Sequence, residues 1–198
     1  GANVVAGLAL GLTFNDNDFV SNAGSMESFS YDFSGYTTWY PSESWYVDML
    51  AGFGRTNYDL ERRIQGAGNL SPTTATSDTQ GNQWQIGVSS GYTFQHNAFS
   101  ATPHARFGYR RIGVDGYTEQ GDNSTFLIEL GDQNLESLRT ALGLQTTYAL
   151  SSRFGVFLPT VDLEWIHEYQ DESQDIQVQS LLDNTATGRF ALTTDNPD

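Results

Sequence analysis

Period-2 alternation runs through this chain segment after segment, and its polarity decides what the chain can fold into. In TPHARFGYRRIGVDGY (residues 102–117), His104, Arg106 and Arg110 share one parity, while Ala105, Phe107 and Tyr109 share the other. Successive side chains of a strand point to opposite faces, so such a strand has one face that tolerates water and one that does not. The pattern recurs at residues 3–14, 28–40, 44–58, 81–94, 98–115, 134–149 and 154–169, with a weaker eighth segment near 186–194. Helical i, i+3, i+4 spacing is nearly absent.

The faces segregate alike each time. Segment 44–58 sets Trp45, Val47, Met49, Ala51 and Phe53 against Tyr46, Asp48, Leu50, Gly52 and Gly54. Segment 134–149 sets Leu138, Leu142, Leu144 and Tyr148 against Arg139, Ala141, Gly143, Gln145 and Thr147. Segment 154–169 sets Phe157, Val161, Leu163 and Trp165 against Thr160, Asp162, Glu164 and Glu168. A water-soluble barrel puts bulk inside. Here bulk takes one face, and glycine, hydroxyls and charges take the other, which is the polarity of a barrel with lipid outside and water within. Phe107, Tyr109, Leu142, Leu144, Val161 and Leu163 are expected to face lipid; Asp48, Arg106, Arg110, Arg139, Asp162 and Glu164 are expected to line the lumen.

The connections agree. Residues 15–27, 59–80, 116–133 and 170–185 are long and polar, whereas 41–43, 95–97 and 150–153 are short, and the two kinds alternate. Outer-membrane barrels combine long external loops with short periplasmic turns. A soluble sandwich gives no reason for that alternation. Hydrocarbon leaves no partner for an unpaired strand edge, so closure into a barrel is expected. Tyr36, Trp39, Tyr40, Trp45 and Tyr46 gather around the turn at 41–43, where an interfacial aromatic girdle would lie; ordinary strand propensity is the competing explanation.

Composition excludes several classes. The net charge is −15, and all nine basic residues are arginine. Nucleic acid, which needs a basic patch, is excluded as a partner. An aromatic content of 13% argues against a disordered acidic chain. Cysteine is absent, removing disulfides, thiolate nucleophiles and Cys-type zinc sites. No apolar run reaches the roughly 20 residues of a membrane helix. Gly1 is not an initiator Met and no signal peptide opens the chain, so a processed or excised piece is expected.

Catalytic patterns are weak. EWIHEYQDE (residues 164–172) lacks the HExxH spacing and, on a strand, turns Glu164 and Glu168 away from His167. There are three histidines and no GxSxG. The acidic loops lack EF-hand spacing, so no metal, cofactor or enzymatic activity is expected. The lumenal arginines and carboxylates, on neighbouring strands about 4.8 Å apart, are expected to pair across the wall. They either rigidify it or grip a polar segment in the pore.

The ordered set NVVAGLALGLTF (3–14), SWYVDMLAGFGRTNYD (44–59), WQIGVSSGYTF (84–94), TPHARFGYRRIGVDGYTEQG (102–121), NLESLRTALGLQTTYAL (134–150) and PTVDLEWIHEY (159–169) resembles the C-terminal β-barrel translocator domain of type V autotransporters. The resemblance covers essentially the whole chain. It implies a single all-β domain, an antiparallel up-and-down transmembrane barrel of twelve strands, of which about eight are present here. It implies the bacterial outer membrane, insertion by the barrel-assembly machinery, and a pore that holds the linker helix of an N-terminal passenger. Arg106, Arg110, Arg139 and Glu164 match the family's lumenal pattern and would contact that linker or stabilise the pore. The chain departs from the family at both ends: no first strand precedes residue 3, and DNPD (195–198) stands where the final strands would follow. Two other functions stay open at this point: a small stand-alone barrel whose acidic loops act in structure or adhesion, and the anchor of a surface hydrolase.

Overall fold

A computed structural model describes residues 3–65, 72–122, 126–170, 174–182 and 189–194. One antiparallel sheet dominates. It runs through β1 (Val4–Asp18), β2 (Gly24–Ser42), β3 (Trp45–Ile64), β4 (Thr73–Tyr92), β6 (Phe99–Val114), β9 (Gln133–Tyr148) and β12 (Thr160–Glu168), each strand beside its predecessor in the chain. Short β5 (Phe94–His96) pairs with the start of β6. Up-and-down order needs only short-range hairpins, and the alternating hydrophobicity fixes each register because a one-residue slip would exchange the two faces. Among the described residues, β1 pairs only with β2 and β12 only with β9.

The wall strands outrun the expected segments. β3 and β4 are 20 residues each and pair without interruption from Trp45↔Tyr92 to Ile64↔Thr73. β1 and β2 likewise continue to Asp18↔Ser25. Much of what reads as loop at 15–27 and 59–80 is therefore ladder. Beyond the apolar band the outward face turns polar, with Asp16, Asn57, Asp59, Glu61, Thr76 and Asp78, so the backbone stays paired while the apolar-outward alternation that reveals a strand disappears.

One expectation is corrected. The segment 154–169 divides into β11 (Gly155–Phe157), paired with β10 (Leu150–Ser152), and β12. The break falls at Leu158-Pro159, where proline has no N–H to give a ladder. The eighth segment is a strand, β14 (Arg189–Thr194), which pairs with β13 (Gln174–Ser180) in a second sheet. That sheet, of order β14-β13-β8-β7, also takes β7 (Tyr117–Thr118) and β8 (Ile128–Leu130) from the connection between β6 and β9.

Burial is inverted relative to a soluble protein. Among the described residues the buried apolar side chains are Ala75, Leu127, Ala141 and Val178. Leu8 is 74% exposed, Phe14 76% and Leu163 68%, on strands paired in register with a neighbour. Large apolar patches on a protein surface mark contact with something apolar. Here the patch is the whole face of a sheet.

Candidate functional site

Register converts parity into geometry. Asp48 of β3 stands opposite Thr38 of β2 and Ser89 of β4, and Ser89 stands opposite Arg106 of β6. Thr38 donates to Asp48 Oδ1 at 2.6 Å and Ser89 to Oδ2 at 3.1 Å. Six residues further along each strand, Gln83 donates to Asp32 at 2.5 Å across Gly54. These bonds link β2 to β4 over the top of β3, so all of these side chains rise from one face.

The charged centre of that face spans three strands. Arg106 reaches across β9 to pair with Glu164 of β12, a span of about 10 Å at two strand spacings. His104 faces the same carboxylate, Nε2 lying 3.4 Å from Glu164 Oε1 and 4.0 Å from Asp162 Oδ1. The crossing is open because the strand between contributes Gly143, which pairs with both His104 and Glu164. The imidazole covers it, and a Cβ there would collide with Nε2 and Cε1 of the ring. Tyr46 uses Gly91 in the same way, and Tyr36 uses Gly7. Glycine within a strand often marks such a close approach.

The polar residues expected from sequence fall into separate groups. Arg106, Glu164 and Asp162 meet around His104. Arg139 pairs instead with Glu168 at 2.7 Å, and Glu168 also accepts from Ser137 Oγ at 2.7 Å and Leu138 N at 2.7 Å. Arg110 stands between Gln85 and Ser137 in the ladder and takes no ion pair among the described residues. Parity places His104 and Glu168 on this face, but the sequence offers no reason to group them with the lumenal contact residues. What parity cannot supply is the register that sets His104 beside Glu164 and Glu168 beside Arg139.

The opposite face holds the apolar set. Phe107 sits between Val88 and Thr140, Tyr109 between Ile86 and Leu138, Leu142 between Ala105 and Trp165, and Leu144 between Pro103 and Leu163. Phe107, Leu142, Leu144, Val161 and Leu163 are exposed; Tyr109 is half-buried. Trp39 and Trp45 adjoin on this face, rings 6.4 Å apart, with Trp45 Nε1 donating to Ser90 at 2.8 Å. Further aromatics close the other end of the band: Phe14 stacks on Phe29 at 4.6 Å, Phe53 adjoins Trp84 at 4.6 Å, and Trp165, His167 and Tyr169 run in a column. The five residues expected as a girdle do not act together. Tyr36 and Tyr46 stand on the polar face over their glycines, and Tyr40 falls in an irregularity between Trp39 and Ser42 where alternation breaks.

The fold and the two-faced sheet have close parallels. The whole chain, residues 1–198, matches the family described as the autotransporter beta-domain. It is 32% identical over 160 residues to esterase EstA of Pseudomonas aeruginosa, covering 77% of this chain and 23% of that protein. It is 26% identical over 176 residues to lipase 1 of Photorhabdus luminescens, covering 85% of this chain and 26% of that one. The chain thus spans about a quarter of the length of these relatives. In structure it is similar to the translocator domain of NalP from Neisseria meningitidis, with a TM-score of 0.58, 17% identity, and 90% of this chain and 64% of that one covered. It is also similar to the beta domain of the Bordetella autotransporter BrkA, with a TM-score of 0.51, 21% identity, and coverage of 88% and 68%. A meandering sheet greasy on one side, polar and glycine-floored on the other, and matched over its full length is the wall of a barrel in the bacterial outer membrane: this chain belongs to the autotransporter beta-domain family, the translocators that anchor and export a passenger.

Proposed function

We propose that the polar face lines the hydrated path through which the passenger leaves, and that His104, Arg106 and Glu164 form the part of the wall that accommodates the peptide linker. The observation that carries this is the segregation of the two faces. Cross-strand charges and hydroxyls sit on glycine-floored ground, while the reverse side is exposed Leu, Val, Phe and Trp. Paired charges on a wetted wall can exchange partners with a peptide at little cost, since pairs open to water contribute only about 0–1 kcal/mol. Lipid covers the other face, where Phe107, Tyr109, Leu142, Leu144, Val161 and Leu163 supply the apolar surface. The barrel-assembly machinery is the expected insertion partner.

The domain itself is read as making and breaking no bonds. His104, 11% exposed, faces the carboxylates of Asp162 and Glu164 rather than an activated hydroxyl. Chemistry would reside in the passenger, and the names of the relatives, an esterase and a lipase, favour an ester hydrolase.

The test reverses one charge. Arg106→Glu places two carboxylates together and should lower passenger display several-fold while barrel insertion, followed by heat-modifiable gel mobility, stays normal. Exchanging the pair, Arg106→Glu with Glu164→Arg, should restore display. Undiminished display in the single variant removes Arg106 from the export path.

A further inference from the structure

The apolar face of the wall ends in a defined margin at the end away from the short turns. Followed along any strand from its short-turn end, this face reaches one position that brings the first charge or amide. That position is Asp16 on β1, Glu27 on β2, Arg55 on β3, Asn82 on β4, Arg111 on β6 and Glu136 on β9. Each follows directly on a large apolar or aromatic residue of the same parity, among them Phe53, Trp84 and Tyr109. The margin is not level in the ladder. Arg55 pairs with Asn82, whereas Arg111 pairs with Trp84, two residues lower. Strands tilted in a bilayer need such a slope to keep the margin at one depth.

One arc of this margin is basic. Arg55, Asn82 and Arg111 stand on three adjacent wall strands, with Glu27 and Glu136 on the strands to either side. The two arginines flank β4 across two strand spacings, about 10 Å. Trp84 lies between them, 57% exposed, its ring 4.6 Å from that of Phe53. Neither guanidinium is well compensated. Arg55 donates to Gln80 and has no ion pair among the described residues. Arg111 Nε lies 3.4 Å from Glu136 Oε1, the longest of the arginine–carboxylate pairs among the described residues. Arginine on the lipid face is costly at the bilayer midplane and nearly free at the interface, so these two set the margin at headgroup depth. A guanidinium fork matches a phosphate bidentately. The chain carries a net charge of −15, so its general field repels anions and any attraction here is local to the arc.

We propose that Arg55, Asn82 and Arg111 form a docking site for the phosphate of a lipid headgroup in the outer leaflet, with Trp84 and Phe53 against the chains beneath. The site continues the apolar band without a break, which favours a membrane lipid over a soluble phosphate. Bound there, the lipid holds the wall at one depth. The inference rests on the reading that this face meets lipid and that its margin away from the short turns lies on the outer side.

Photo-cross-linking in whole cells tests it on the full-length protein. With p-benzoylphenylalanine in place of Trp84 and cells grown in radioactive phosphate, light should attach a labelled lipid to the protein. Benzophenone inserts into C–H bonds, so a lipid carries the label across and a free phosphate ion does not. Arg55→Gln with Arg111→Gln should lower the label about tenfold, the scale of losing two charge-assisted contacts. Heat-modifiable mobility checks insertion. If the double variant does not insert, Arg55→Gln alone, which leaves the Arg111–Glu136 pair whole, should still lower the label several-fold. The same probe in place of Trp39, at the opposite margin, should be labelled equally with and without the arginines. Equal label at position 84 in both backgrounds, or a parallel fall at position 39, overturns the phosphate site. No label at either position overturns instead the assignment of this face to lipid.

Discussion

Three glycines on the polar face decide where rings can lie. At Gly143 the imidazole of His104 occupies the space a side chain would take, and that placement brings the ring to Glu164 and Asp162. Gly143→Val should lift the ring, forcing strain typical of overpacking, about 1–3 kcal/mol. The check is the urea midpoint of the refolded domain in detergent micelles. Pairing this variant with His104→Ala is diagnostic: removing the ring should abolish most of the penalty, and a penalty unchanged by His104→Ala would place the strain in the backbone instead. Parity alone put Gly143 and His104 on one face; it gave no reason to couple them. The coupling comes from neighbouring strands meeting in one register, information that lies between segments rather than within any of them. Tyr36 and Tyr46 show the same limit. Their proximity to a turn suggested a membrane interface, yet Gly7 and Gly91 offer them flat ground on the polar side.

At the scale of a strand, alternation carries the energetics. On β9, Leu142 and Gln145 are both exposed and three residues apart, but on opposite faces. Leu142→Arg would carry a guanidinium toward hydrocarbon and should cost about 2–4 kcal/mol if near the bilayer midplane. Gln145→Arg should cost little, because its face is wetted. Insertion of each variant, read from heat-modifiable mobility after expression, should differ sharply; equal behaviour would mean the faces are assigned the wrong way round. The strands of the apolar band were legible for the same reason that this comparison is sharp. A greasy face beside a polar one leaves a period-2 signature. Where β3 and β4 pass beyond the band, at Asn57–Ile64 and Thr73–Gln80, the formerly apolar face becomes Asn57, Asp59, Glu61 and Arg63 beside Thr74, Thr76, Asp78 and Gln80, and the signature vanishes while the ladder persists. β14 was legible as a strand, but only its partner β13 reveals which sheet it serves.

For the molecule as a whole, the tryptophans offer the most direct measurement of inside-out polarity. All four lie on the apolar face: Trp39 of β2, Trp45 of β3, Trp84 of β4 and Trp165 of β12, by register with Phe53, Ile86, Leu142 and their neighbours. All four are exposed. In lipid vesicles, every indole should therefore be reached from the bilayer and none from the pore. Trp39 and Trp45 cluster at the short-turn end, whereas Trp84 adjoins Phe53 further along and Trp165 begins the column with His167 and Tyr169. Tryptophan at both margins of an apolar band sits at headgroup depth. Acyl chains brominated near the headgroup should thus quench the emission more strongly than chains brominated near their ends, and aqueous iodide should quench weakly. A soluble arrangement, with this face packed into a dry centre, predicts no response to brominated lipid at any depth. Strong iodide quenching with no lipid effect would place the indoles in the water-filled path. That result would reverse the two faces, and with them the lumenal assignments of Arg106 and Glu164, because both are fixed by parity relative to the same tryptophans.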